Sequence, residues 1–349
     1  MKAALLHAFS EPPLIETVSD PKCPPHGVII ELQACGVCRS DHHAWSGQDP
    51  DVQLPHIMGH ELAGIIVDAG HDVRNFKIGD RVTAPFILGC GSCSDCQSGQ
   101  ATICEDQDVI GFTSWGAFAQ FISVSHADFN LVTLPETIEF SQAAALGCRM
   151  TTAYRGLADR AQLKADESVV IHGCGGVGLS AIMVTKAMGA QAIAVDVNDD
   201  ALALARSIGA DIIINADTCD DVGEMVREQT NGGAHVSMDA LGITATFQNS
   251  LRSLRKLGRH IQIGMPVGAH QNVTLPLLEL IYSRQLQISG SRGLPASQFA
   301  PLISLIETGK INASALISAE IKLSDVGNAL RAMDSYNGSG VSVITDFTC

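Results

Sequence analysis

The chain has 349 residues, room for two domains, because a single core stops growing at roughly 250–300 residues. Its 46% hydrophobic and 17% charged content describes a globular protein, and a net charge of -15 without any Lys/Arg run argues against nucleic acid, whose phosphates require clustered cations. Eleven cysteines in a chain of this size point to metal binding or catalysis by reduced thiols, not to a disulfide framework.

The N-terminal "MKAALLHAFSEPP" is broken by Glu11 and two prolines before a signal peptide's length is reached, and no later run approaches the ~18 apolar residues of a membrane span. A cytoplasmic protein with a small-molecule partner and no membrane contact is expected. From Met1 to about Cys148 the chain reads as short β-type runs, "HGVIIELQAC", "LAGIIVDAG" and "GDRVTAPFIL", separated by Gly, Pro and Asp turns. Within this part lies "GCGSCSDCQSGQATIC", where Cys90, Cys93, Cys96 and Cys104 follow C-x2-C-x2-C-x7-C. Four thiolates in one loop can wrap a single ion tetrahedrally, and the filled shell makes a structural zinc the expectation. A redox dithiol or an iron–sulfur cluster is the competing reading.

Around Thr151 the texture changes to Val- and Ile-rich runs alternating with helix-length segments, the pattern of a doubly wound parallel sheet with six or so strands. In "VVIHGCGGVGLSAIMV" the residues Gly173, Gly175 and Gly178 have G-x-G-x-x-G spacing between a strand and a helix, the context of a dinucleotide site. The first glycine serves the tight turn, the second the approach of the pyrophosphate, the third close helix–strand packing. The next strand ends in Asp196, and no Lys or Arg follows until Arg206; an acid there accepts ribose hydroxyls and repels a 2'-phosphate, favouring NAD over NADP. From about Gly290 the alternation loosens into a helix-like "QFAPLISLIETGK", a second helix in "SDVGNALRAMDSY" and a strand in "SVITDF".

Three other candidate ligands are scattered: Cys38 in "CGVCRSDHHAW", His60 in "MGHELAG" and Cys148 in "LGCRMTTAY". Spacing alone does not join them. Together with the four-cysteine loop and "GCGGVGL", in this order, these stretches resemble the zinc-dependent medium-chain alcohol dehydrogenases across essentially the whole chain. The resemblance implies a Rossmann domain at 151–287 and a GroES-like, β-rich catalytic domain formed by 1–150, with the structural-zinc lobe near 89–105, and by the returning tail 288–349. It implies a catalytic zinc on Cys38, His60 and Cys148, with Glu61 close behind the metal and Asp41 orienting the histidine.

Ser40 and His43 match a proton relay. Arg39 and Thr152 match coenzyme contacts, joined by Gly173, Gly175, Gly176, Val177, Gly178, Asp196 and Ile263. Trp45 and Phe86 match walls of a substrate channel. The implied reaction is reversible oxidation of a primary or secondary alcohol to an aldehyde or ketone, with hydride passing to NAD and two zinc ions per subunit in a homotetramer, or alternatively a homodimer. A polyol dehydrogenase of the same superfamily is the nearest rival, although such relatives often carry a carboxylate where Cys148 stands. A catalytically silent NAD-binding protein is the rival from another class.

Two departures stand out. "MDSYNGSGVSVITDFTC" has no Lys or Arg, where many relatives place a cation near the coenzyme pyrophosphate, and weaker coenzyme binding or faster release is expected. Arg149 follows the third ligand, where many relatives have a small residue, and is expected to point away and pair with a carboxylate more than to select an acidic or polar substrate. Cys23, Cys35, Cys174, Cys219 and Cys349 read as ordinary thiols, and His7, His56 and His172 as structural or solvent-facing.

Overall fold

In the computed structural model, which describes residues 1–335 and 340–348, the β-type run after Gly27 becomes a ten-residue strand, Val28–Val37. Nearly all of it is buried, as its largely Val, Ile, Leu and Ala content requires of a strand covered on both faces. It pairs antiparallel with Glu61–Ala69, with Phe121–Val124 and, through Val37, Gly36 and Cys35, with the terminal strand Val341–Asp346. The seven-stranded sheet so formed runs Val132–Thr133, Arg81–Thr83, Glu61–Ala69, Val28–Val37, Val341–Asp346, Ile317–Lys322, with Phe121–Val124 beside Val28–Val37.

Contacts divide the chain into one unit of Met1–Thr151 with Gly293–Cys349 and a second of Thr152–Arg292. Pairing of the final strand with Val28–Val37 is what places the tail in the first unit. That unit's core includes Phe118, Leu6, Ile57, Met58 and Leu62, all under 2% exposed. Gly59 (φ +96°) lies so close that an added Cβ would sit 2.5 Å from the Phe118 ring.

The second unit is a six-stranded parallel sheet, ordered Ile212–Asn215, Gln191–Asp196, Ser168–His172, Ala234–Asp239, Leu254–Gln262, Gln287–Gly290. The first strand in sequence, Ser168–His172, lies inside the sheet with later strands on either side, which creates the topological switch point of a dinucleotide fold. The unit reaches Arg292, beyond the 287 placed by sequence, because Gln287–Gly290 is itself the sixth strand, in register with Arg259–Gln262.

Two histidines are buried in this sheet. His172 Nε2 is 3.4 Å from Ser253 Oγ, and His260 places Nδ1 3.0 Å from Ser237 Oγ and Nε2 3.2 Å from Gln262 Oε1. Burial pulls His172 down to about 3 and His260 to about 4. Both are neutral in the fold, whereas the unfolded chain protonates them below about pH 6.5. The unfolded state therefore binds more protons in acid, and stability falls as pH drops from ~6.5 toward the folded values, by about 1.4 kcal/mol per pH unit for each histidine. Denaturant midpoints measured from pH 7 to 5 should show this loss, and His260→Gln should flatten the slope; an unchanged slope would remove His260 from the account. A second outcome expected of the fold is that Phe118→Ala lowers stability by about 3–5 kcal/mol in equilibrium unfolding.

Candidate functional site

Cys38 caps the short helix Arg39–Trp45 directly after the central strand of the first unit. The Cys38 N–H donates to Asp41 Oδ2 at 2.8 Å, which closes the first turn. Asp41 Oδ1 accepts from the Gly59 N–H at 3.1 Å and from His60 Nδ1 at 2.9 Å. One fully buried carboxylate thus caps a helix and fixes the imidazole. With Nδ1 donating, the other ring nitrogen, Nε2, carries the free lone pair, and it is buried without a hydrogen-bond partner.

A buried polar atom left unpaired is costly and calls for an explanation. Ligand atoms of Cys38, His60, Glu61 and Cys148 all lie within 4.8 Å of one another; Cys38, His60 and Glu61 are buried and Cys148 is half-buried. Two thiols, an oriented imidazole and an acid are a donor set suited to zinc. The hydrogen bond from Cys148 holds the Cys38 thiol well below its ordinary range, and the same bond pushes Cys148 well above it. Burial pushes the Glu61 carboxyl up to about 8, with the Arg149 guanidinium pulling against it.

Arg149 is buried and pairs with a carboxylate as expected, but it does not point away: its Nη2 lies 2.5 Å from Glu61 Oε2, the acid beside the ligands. Nothing in the sequence spacing singles out Glu61 for this pairing. Phe112 is a residue that sequence reading misses. Its ring centroid is 5.1 Å from that of His60, with Phe86 at 5.6 Å. "GFTSWGAF" shows an aromatic there, but no pattern ties it to a ligand.

Of the remaining residues in this region, Ser40 Oγ is 3.9 Å from Cys38 Sγ. His43 is half-buried, its Nδ1 has no hydrogen-bond partner, and burial followed by the charges of His42 and Arg39 lowers its pKa. His42 is buried, with Nε2 2.7 Å from Asp334 Oδ1, so the two neighbours differ in role. Arg39 Nη1 donates to the Met333 carbonyl at 2.6 Å. Trp45 packs in the core of the first unit, donates Nε1–H to the Glu11 carbonyl at 2.6 Å and lies with its ring 5.4 Å from that of His42.

In the four-cysteine loop, Sγ–Sγ separations include 3.8 Å for Cys93–Cys104 and 4.0 Å for Cys90–Cys96, and no disulfide forms among the described residues. Sulfurs held 2.3 Å from a tetrahedral zinc stand about 3.8 Å apart, so the loop has the dimensions of a closed four-thiolate site. Backbone N–H groups of Ser92 and Cys93 point at Cys90 Sγ, and that of Cys96 at Cys93 Sγ, as they do toward thiolates. Gly89 leaves the space: an added Cβ would be 2.8 Å from Cys96 Sγ.

The second unit carries the glycine motif between Ser168–His172 and the helix Gly176–Ala187. Gly173 adopts φ +97°, and a Cβ at Gly178 would meet the Gly173 carbonyl oxygen at 1.8 Å. A Cβ at Gly175 would meet nothing within 4 Å, so its face is open beside the N–H groups of Gly176, Val177 and Gly178. Asp196 Oδ2 accepts the Cys174 N–H at 2.6 Å, and Oδ1 accepts those of Val197 and Asn198. The acid thus also ties the glycine loop to the second strand. Ile263 donates its N–H to the Asp239 carbonyl at 3.1 Å, and the Thr152 carbonyl accepts from Ser291 Oγ at 3.5 Å. Cys174 is buried and its thiol pushed well up by burial, which leaves it inert. Cys35 is buried, Cys23 and Cys219 are half-buried, and Cys349 lies outside the described residues.

Residues 24–136 match the family model of the alcohol dehydrogenase GroES-like domain, and residues 176–308 that of the zinc-binding dehydrogenases. The chain belongs to the zinc-type medium-chain alcohol dehydrogenases. It is 35% identical to an alcohol dehydrogenase of Geobacillus stearothermophilus over 80% of this chain and 82% of that one. With an NAD-dependent alcohol dehydrogenase of Sulfurisphaera tokodaii it shares 31% identity over 99% of both chains. The crystal structure of the alcohol dehydrogenase from the archaeon Aeropyrum pernix superposes with a TM-score of 0.87 at 29% identity, over 99% of this chain and 100% of that one. As in the family's name, zinc is the metal that both donor sets of this medium-chain dehydrogenase fit. Replacing Cys93 with Ser should lower the zinc content of the purified protein by one ion per chain and its thermal midpoint with it; full zinc content by elemental analysis would contradict a four-thiolate site.

Proposed function

We propose that the chain is an NAD-dependent alcohol dehydrogenase that interconverts a primary or secondary alcohol with its aldehyde or ketone. The observation that carries this reading is the unpaired, buried His60 Nε2, fixed by Asp41 within reach of the Cys38 and Cys148 sulfurs, in a chain of this family. Zinc held there by Cys38, His60 and Cys148 supplies the Lewis acidity that makes an alcohol hydroxyl acidic near neutral pH. NAD supplies the hydride acceptor.

The chain's own residues do the rest. Asp41 sets the tautomer and direction of His60, and with them the ligand geometry. Ser40, its hydroxyl next to Cys38, accepts the substrate's hydroxyl proton and hands it on, and His43 receives it at an imidazole nitrogen. Because the pKa of His43 lies below its ordinary value, the ring is in its proton-accepting form at neutral pH. On the second unit, the open face at Gly175 and the N-terminus of Gly176–Ala187 take the coenzyme pyrophosphate. Asp196, Thr152 and Ile263 position the remainder. The Asp196 charge, held in place by three backbone N–H groups, disfavours a 2'-phosphate and selects NAD. Phe86 flanks His60 and serves as a wall for the alcohol's carbon chain.

No helix among the described residues is long and apolar enough to cross a membrane, in keeping with a cytoplasmic enzyme that acts on small-molecule substrates. A homotetramer, or failing that a homodimer, is the assembly proposed. The deciding experiment is a screen of NAD reduction with primary, secondary, cyclic and aromatic alcohols, run on wild type and two variants. Cys38→Ser should abolish turnover while NAD still quenches protein fluorescence; wild-type turnover in that variant would end the zinc reading. Ser40→Ala should reduce kcat by about 10²–10⁴-fold. In a separate pH series, His43→Gln should remove the acidic limb of the pH–kcat profile, a limb expected below pH ~6.5 given the direction of its pKa shift.

A further inference from the structure

Glu61 is placed where two arrangements compete. One of its carboxylate oxygens belongs to the same cluster of ligand atoms as Cys38, His60 and Cys148. Carboxylate oxygen binds zinc as thiolate and imidazole do, and a fourth protein ligand closes the position that a substrate needs. Both Glu61 oxygens are nevertheless engaged elsewhere. Oε1 accepts the Cys148 N–H at 2.9 Å, and Oε2 accepts from Arg149 Nη2 at 2.5 Å. The same Nη2 donates to the Val37 carbonyl at 2.9 Å, which moors the guanidinium to the end of the strand that leads into Cys38.

The slot that receives the carboxylate is built for it. A Cβ at Gly36 would stand 2.3 Å from Glu61 Oε2, and one at Gly147 would stand 2.4 Å from both Cβ and Cγ of Glu61. Two consecutive pairs, His60–Glu61 and Cys148–Arg149, each supply one ligand and one half of the clamp. Charge favours the same arrangement. Two thiolates and a carboxylate around a dication leave one negative charge in excess, and the Arg149 guanidinium, 3% exposed, balances it without occupying the metal. With that cation removed, the dication at the three ligands is the nearest positive partner left to the carboxylate.

We propose that Arg149 is a positioning residue that holds Glu61 off the metal and so keeps the fourth coordination position open. This rests on the reading of Cys38, His60 and Cys148 as ligands, and cobalt tests the two separately. In protein that keeps zinc in the four-cysteine loop and carries Co(II) at the second donor set, thiolate-to-cobalt absorption that weakens in Cys38→Ser supports the ligand set. Its absence from the wild type would overturn that set and this proposal with it. Arg149 is then tested by titrating imidazole into the Co(II) protein and following the visible d–d bands. Wild type and Glu61→Gln should take up imidazole with similar Kd. Arg149→Met should bind it at least about tenfold more weakly, the scale on which residues behind a metal's ligands act. The double variant, Arg149→Met with Glu61→Gln, should return to the wild-type value, a rescue that mere loss of packing would not produce. Wild-type affinity in Arg149→Met, or a double variant as weak as the single, overturns the proposal. Should Arg149→Met not accumulate, Arg149→Lys carries the same test: weakened uptake restored by Glu61→Gln supports the clamp, and unchanged uptake overturns it.

Discussion

A single buried carboxylate, that of Asp41, links the parts of the first unit that chemistry needs together. It accepts the N–H of Cys38, the N–H of Gly59 and the Nδ1–H of His60. The first bond sets the start of a helix, the second fixes the turn before the strand Glu61–Ala69, and the third sets which imidazole nitrogen is free. Asp41 is completely buried, so its charge is tolerable only with those donors in place. The ligand geometry and the local fold are therefore tied together: freeing His60 would leave the buried Asp41 Oδ1 with the Gly59 N–H alone.

The two donor sets are opposite solutions to one problem. Cys90, Cys93, Cys96 and Cys104 come from one loop, and a metal there closes short loops at little entropic cost. Cys38, His60 and Cys148 come from three segments far apart in sequence, and the folded sheet must bring them together before any metal binds. The first arrangement makes the metal a cross-link that supports the fold. The second makes the fold a support for the metal, while Glu61 stays engaged with Arg149 and the Cys148 N–H.

What the sequence reveals follows from that difference. The four-cysteine loop and the glycine motif are legible because their geometry is local: φ +97° at Gly173 and the 1.8 Å approach at Gly178 depend on neighbours in the chain. The parallel strands of Thr152–Arg292 are legible as well, since strands covered on both faces are largely apolar. The scattered ligands acquire meaning only by resemblance. The Glu61–Arg149 pair spans 88 positions, and the rings of Phe86 and Phe112 reach His60 only through tertiary packing, so neither leaves a periodic or spacing signal. His42 and His43 are alike in sequence and each keeps an unpaired Nδ1, yet His42 also sets Nε2 on Asp334, a distinction made by a residue 292 positions away.

Because Val341–Asp346 pairs antiparallel with Cys35, Gly36 and Val37, the two halves of the first unit's sheet are separated by the whole of the second unit in the order of synthesis. The strand that carries the chain into Cys38 keeps an open edge until Val341–Asp346 has left the ribosome. The second unit, Thr152–Arg292, is continuous in sequence and has all six of its strands in hand while that edge is still unpaired. Domains fold as units during synthesis, so the order of manufacture is coenzyme fold first and metal-bearing fold last, and a product truncated before Val341 is left with a nucleotide-binding fold but no finished reaction centre.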